Sequence, residues 1–142
     1  QDAGLEFIGV ISTPWTDRMQ CPRQGKEQGP ICKIEIFINW ADALFQIEQY
    51  QRIEVIYWLH QARRDILLQS PRSDGQVRGA FSLRSPVRPN PIATSIVKLE
   101  RIKKNILYVR GLDCLDQTPL LDLKPDRNLF TPIAPATQGD SE

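Results

Sequence analysis

At 142 residues the chain has room for one domain that buries its own apolar core without staples. A net charge of +1 argues against a nonspecific polyanion binder, and no apolar run approaches the roughly 20 residues of a membrane span. Three cysteines without a CxxC pair, beside a single histidine, argue against a Cys/His zinc site and for reduced thiols. No secretory or twin-arginine leader opens the chain, so a cytoplasmic location is expected.

In chain order, Gly9–Ser12 within EFIGVIS reads as a short strand, ended by the turn signal TPW. Residues 16–30 hold repeated Gly and Pro punctuation with little periodicity and are expected to form a loop. ICKIEIFI (31–38) alternates, with Ile34, Ile36 and Ile38 on one face and Lys33, Glu35 and Phe37 on the other, the period of a half-buried strand. In NWADALFQIEQYQ (39–51) the period lengthens. Asn39 or Asp42 can cap, and Ala43, Leu44, Ile47 and Tyr50 or Gln51 fall at helical spacing, which predicts one short helix.

RIEVIYWLHQ (52–61), DILLQS (65–70), GAFSLR (79–84), SIVKLERI (95–102) and ILYVRGLD (106–113) are β-branched or aromatic and read as strands. The last two are joined by a hairpin turn at KKN. From PLLDLKP (119–125) onward the chain is expected to be irregular, with a loose tail at 131–142. Short strands at hairpin spacing with one helix predict a mostly β, single-domain chain over 1–130, folded as a closed or nearly closed β-barrel. They argue against alternating βαβ units.

No GxG pair, P-loop or GxSxG is present, so a nucleotide-like cofactor would not be held by the usual strand-to-helix turn. Charge is uneven: residues 1–50 carry four basic and seven acidic groups, whereas 51–100 carry eight and four, and seven of those eight are arginine. Arginine's planar fork suits phosphate and carboxylate. The stretch RSPVRPNPIATS (84–95) interleaves three prolines with Arg84, Arg88 and Asn90, a stiff rail that holds polar groups at fixed positions.

Three further segments are unusually polar for their setting: Pro22–Gln24 in the early loop, His60 and Gln61 at the end of an apolar strand, and LDCLDQTPLLDLKP (112–125). Each also has a purely structural reading. Asp116 with Thr118 can be an Asx-type turn before Pro119, His60 a satisfied rim histidine, and Asp122 one half of an ion pair.

Taken together, GAFSLRSPVRPNPIATSIVKL (79–99) and GLDCLDQTPLLDLKP (111–125) closely resemble the signature of the TsaA-like, or TrmO, family. That family's pattern runs roughly GvFatRSpxRPNPIGlSvvkL, then LDxxDGTPvlDiKPY. IGVISTPW, CPRQG and the HQ that ends a hydrophobic strand also resemble it, so the likeness spans about residues 7–125. Members are described as S-adenosylmethionine-dependent tRNA methyltransferases with a β-barrel fold, acting as dimers. They methylate N6 of the threonylcarbamoyl-modified adenosine beside the anticodon.

The resemblance implies a cofactor site made of Pro22, Arg23, Gln24, His60, Gln61, Arg84, Thr94, Leu115, Asp116, Gln117 and Thr118. In it, Arg84 would answer the cofactor's carboxylate, and backbone groups of the 115–118 turn its adenine. Arg88, Asn90 and Lys124 are assigned to the substrate side, as clamps for the modified anticodon loop. Asp122, set among leucines and expected to be buried, is the expected base for the poorly nucleophilic acceptor nitrogen, ahead of Asp116, with Arg88 and Asn90 also beside the reaction. No metal is expected.

Four positions depart from the pattern: Ala93 and Thr94 follow RPNPI, Gln117 replaces the glycine of DGTP, and Asp126 replaces the tyrosine of KPY. Two other readings stand beside the tRNA enzyme. One keeps the cofactor with a small molecule or another nucleoside as acceptor, and the other is a non-catalytic S-adenosylmethionine- or RNA-binding module.

Overall fold

A computed structural model describes residues 3–70 and 75–128; the expected tail at 131–142 lies outside the described residues. Eight strands occur among them: β1 (Gly9–Ser12), β2 (Ile31–Ile36), β3 (Arg52–Trp58), β4 (Leu68–Gln69), β5 (Arg78–Gly79), β6 (Ile92–Lys103), β7 (Ile106–Arg110) and β8 (Thr118–Pro125). Six of them close a barrel in the order β1-β2-β7-β6-β3-β8, and β4 pairs with β5 in a separate two-stranded piece. Every barrel pairing is antiparallel. The mostly β, closed-barrel expectation therefore holds.

Strict alternation makes these strands. Along β2, Cys32, Ile34 and Ile36 are buried and their neighbours exposed; along β3, Ile53, Val55 and Tyr57 are buried. Ile11, Val97, Leu107, Val109, Leu112, Cys114 and Leu120 are buried with them. The KKN turn joins β6 to β7 with Lys104 in the left-handed region (φ 57), and Asn105 Nδ2 donates to the Ile36 carbonyl at 2.7 Å.

Because neighbours alternate in direction, the connections sort to two ends. The β2–β3 segment and the β6–β7 hairpin lie at one end; the β1–β2, β3–β6 and β7–β8 connections lie at the other. At the first end, residues 38–49 form two 3₁₀ segments, Ile38–Leu44 and Ile47–Gln49, in place of an α-helix. Gln46 at φ 71 breaks the run between them. Leu44, Ile47 and Tyr50 pack on the core, so tertiary burial and the longer rise of the 3₁₀ form decide the local geometry. Ile38, expected on the buried face of a longer β2, is 80% exposed.

PLLDLKP is not irregular. It forms most of β8, the strand that seals the barrel between β1 and β3. Two prolines bracket it, and a register shift opposite Ile56/Tyr57 interrupts it, so no clean alternation marks it in the sequence. The expected strand 79–84 is instead the two-residue β5 followed by a 3₁₀ turn, Ala80–Ser82.

Candidate active site

All three connections at the second end border one cleft of about 1220 Å³. The proline rail forms one wall. Prolines lack N–H donors, so the rail cannot join a ladder, and side chains hold its carbonyls instead. Arg88 donates to the carbonyls of Leu83 and Ser85, both at 3.0 Å. Arg64 Nε donates to Pro89 O (2.7 Å), and Gln69 Nε2 to Val87 O (2.7 Å). The Arg64 guanidinium also stacks 5.2 Å above the Trp58 ring, which ties the rail to the end of β3.

Opposite lies the turn before β8. Thr118, 1% exposed, closes it by donating Oγ1 to Leu115 O at 2.6 Å. Asp116 N donates to Trp15 O and Gln117 N to Ile11 O, both at 2.7 Å, and Asp116 Oδ1 accepts from Thr13 N at 3.0 Å. Gln117 sits at φ 66, the conformation that the glycine of the family pattern adopts freely. A third wall, Pro22–Gln24, is seated by Gly25: a Cβ there would overlap the carbonyl of Gly111, so only glycine lets the loop lie this close.

Nine of the expected cofactor residues line this one cleft: Pro22, Arg23, Gln24, His60, Gln61, Arg84, Thr94, Leu115 and Thr118. Arg84 is exposed and makes no hydrogen bond to any described residue, which leaves its fork open. Asp116 and Gln117 do not line the cleft. Their N–H groups are already spent on the β1 side, so the turn does not offer those two donors to an adenine.

Of the expected catalytic and substrate residues, the structure brings only Arg88 to the cleft. Asp122 is exposed, not buried, and its Oδ1 accepts from Leu123 N at 2.9 Å. Along β8 the buried side switches from Thr118 and Leu120 to Leu123 and Pro125 at the register shift, which turns Asp122 and Lys124 to the outer face, away from the cleft. Asn90 also lies outside it; its Oδ1 accepts from Arg64 at 3.3 Å. Arg88 does line the cleft, with its NH1 committed to the rail. Asp126, in place of the family tyrosine, is buried and its Oδ1 accepts from Asn128 N.

Sequence reasoning missed the cluster on the cleft floor. Tyr57, 2% exposed, has its hydroxyl 2.7 Å from Ser95 Oγ and donates to Asp113 Oδ1 at 2.9 Å. All three residues line the cleft. Burial first, and the Asp113 carboxylate second, hold the Tyr57 phenol well above its ordinary range, so it stays a donor. In the sequence Tyr57 is one more apolar position of an alternating strand; the signal that pointed here was Asp113 between Leu112 and Cys114, a charge inside an apolar run.

Residues 10–129 match the family described as tRNA-methyltransferase O N-terminal domain. The chain is 59% identical over 140 residues to the "Probable S-adenosyl-L-methionine-binding protein VirR" of Rhizobium radiobacter, covering 99% of this chain and 80% of that protein. It is 32% identical over 128 residues to the "tRNA (adenine(37)-N6)-methyltransferase" of Rattus norvegicus, covering 84% of this chain and 30% of that one. A crystal structure of TrmO from Pseudomonas aeruginosa superposes with a TM-score of 0.75 at 29% identity, over 99% of this chain and 63% of that chain. This chain thus spans less than two thirds of the solved TrmO chain. A family match over most of the sequence, with a fold that superposes on the solved TrmO chain, places it: the chain belongs to the TrmO family, in the part described as its N-terminal domain.

Proposed function

We propose that this chain is an S-adenosylmethionine-dependent methyltransferase that acts on N6 of the threonylcarbamoyl-modified adenosine beside the tRNA anticodon. The observation that carries this reading is the meeting of the arginine rail and the Leu115–Thr118 turn across one cleft, without a glycine-rich strand-to-helix turn. At about 1220 Å³ the cleft exceeds the roughly 300–1,000 Å³ of a site for one small molecule, which leaves space for a second, larger reactant.

The residues present fit the cofactor. Arg84 offers an unspent fork to a carboxylate, while Leu115, Thr94 and Gln24 offer apolar and polar edges to a nucleoside. S-adenosylmethionine, when bound, supplies an activated methyl group for in-line displacement. The protein's part is orientation: Arg88 and Arg64 stiffen the rail and Thr118 locks the opposing turn, so little ordering is left to be lost on binding. Lys124, exposed on the outer face, is left to phosphate contacts beyond the cleft.

A homodimer in the cytoplasm completes the reading. Phe81, Ile92 and Ile96 are exposed apolar side chains at the cleft border, a surface that a second copy would cover. No helix among the described residues is long and apolar enough to cross a membrane. The deciding measurement is mass spectrometry of bulk tRNA from cells with and without the gene. Loss of one methylated threonylcarbamoyladenosine on deletion is expected, and an unchanged nucleoside profile overturns the tRNA assignment. In vitro, S-adenosylmethionine at 100 times its dissociation constant adds about 2.7 kcal/mol of stability. A melting temperature unmoved at millimolar cofactor removes the enzyme reading altogether.

Asp126 is buried beside Arg52 where β8 ends, away from the cleft, so its replacement of the family tyrosine takes no stacking face from the site. A small-molecule substrate would show almost no salt dependence of binding, whereas several phosphate contacts give a steep one.

A further inference from the structure

We propose that Asp113 is the fixed counter-charge for the cofactor's sulfonium, set in place by Tyr57, and that it makes the cleft prefer the charged methyl donor over its neutral demethylated product. The inference rests on the cofactor reading above and names the residue that senses the charge.

A sulfonium carries no hydrogen to donate and can be recognised only through its charge and shape. Four arginines line the cleft, Arg18, Arg23, Arg84 and Arg88, and their field opposes a bound cation. Against them, the described lining holds two carboxylates, Glu54 and Asp113. Glu54 projects from the outer face of β3, with Lys124 as its ladder partner, and no hydrogen bond fixes its side chain. Asp113 is different. It sits on the floor with Oδ1 held by the buried Tyr57 hydroxyl at 2.9 Å, and Ser95 Oγ lies 2.7 Å from the same hydroxyl. Its second oxygen has no hydrogen-bond partner among the described residues, so one edge of the carboxylate is anchored and the other is unclaimed.

The position suits the role. Tyr57 and Ser95, beside Thr94 on the β3–β6 ladder, line the cleft together with Asp113, as does Cys21, which leads into the Pro22–Gln24 wall. The carboxylate's field is felt there: burial first, then Asp113, raises the Cys21 thiol above its ordinary range. The same two causes help raise Cys114, to about 12. An anion so placed shares one cleft with the expected cofactor residues, Arg84 among them. Arg84 and Asp113 thereby offer opposite charges, one for the ligand's carboxylate and one for its sulfonium.

The test is calorimetric titration of wild type, Asp113→Asn and Tyr57→Phe with S-adenosylmethionine and S-adenosylhomocysteine. These ligands share adenine, ribose and amino-acid end, and differ in the methyl group and charge at sulfur. Asp113→Asn, which keeps the shape and removes the charge, is expected to weaken S-adenosylmethionine by at least about tenfold and S-adenosylhomocysteine by less than about threefold. Sinefungin, which carries an ammonium in that place, should follow the charged ligand. Tyr57→Phe releases the anchored oxygen and should give an intermediate loss of the same preference. A ratio of two affinities on one preparation is insensitive to a loss of folded protein. If both ligands weaken in step, Asp113 touches a part they share and the inference fails; if neither moves, Asp113 lies outside the contact. Wild type that binds neither ligand sinks the cofactor reading instead.

Discussion

At the end of the barrel crossed by the β2–β3 connection, residues 38–49 press Leu44 and Ile47 onto the core, joined by Tyr50, and none of these side chains borders the cleft. At the opposite end three connections stand apart, and their polar side chains face a large cavity. The contrast teaches where each kind of energy is placed. The first end is closed by apolar burial, about 25 cal/mol for each Å² removed from water. The second holds its shape with hydrogen bonds to carbonyls, from Arg64, Gln69 and Arg88 on the rail and from Thr118 in the turn. Stability and function should therefore separate under mutation.

The largest effect is expected from Ile53→Ala, at a fully buried interior position: a loss of about 2–5 kcal/mol, read as a lowered urea midpoint. Cofactor affinity per folded molecule should stay the same, and a parallel loss would break the separation. Next, Arg84→Ala should leave the melting temperature unchanged, since this side chain bonds no described residue, while costing about 1.5–3 kcal/mol of cofactor binding. Titration calorimetry checks it; intact affinity would mean another group answers the carboxylate. The smallest effect sharpens the contrast. Gln117→Gly relieves a positive φ in the turn and should raise stability by at most about 1 kcal/mol, with cofactor affinity unmoved. A destabilised variant would show that the Gln117 side chain contributes more than its backbone costs.

The legible parts of the sequence were those where one physical rule acts alone. Strict alternation in 31–36 and 52–58 marks interior strands because one face meets the core and the other does not. The RSPVRPNPI rail and the CPRQG and HQ segments were legible as polar groups in places that have no need of them, and the structure gathers them around one cleft. What was hidden depends on register. Asp122 looked buried because its neighbours are leucines, but a one-residue shift in β8 exchanges the faces of the strand and turns it outward. Asn90 looked available, yet a fork from Arg64, distant in sequence, occupies it. Tyr57 was hidden by its own strand pattern, since an inward tyrosine and an inward leucine read alike until a partner for the hydroxyl is known.

The closure of six strands into a ring also limits how copies of this protein can meet. The ring has no free rim of unpaired amides, so a second molecule cannot extend the barrel by adding a strand to it. Exposed apolar side chains such as Phe81, Ile92 and Ile96, which border the cleft, offer self-association a different route. Any such pairing would place the neighbour's surface beside the reaction chamber, so assembly and access to it would be set by the same few apolar residues.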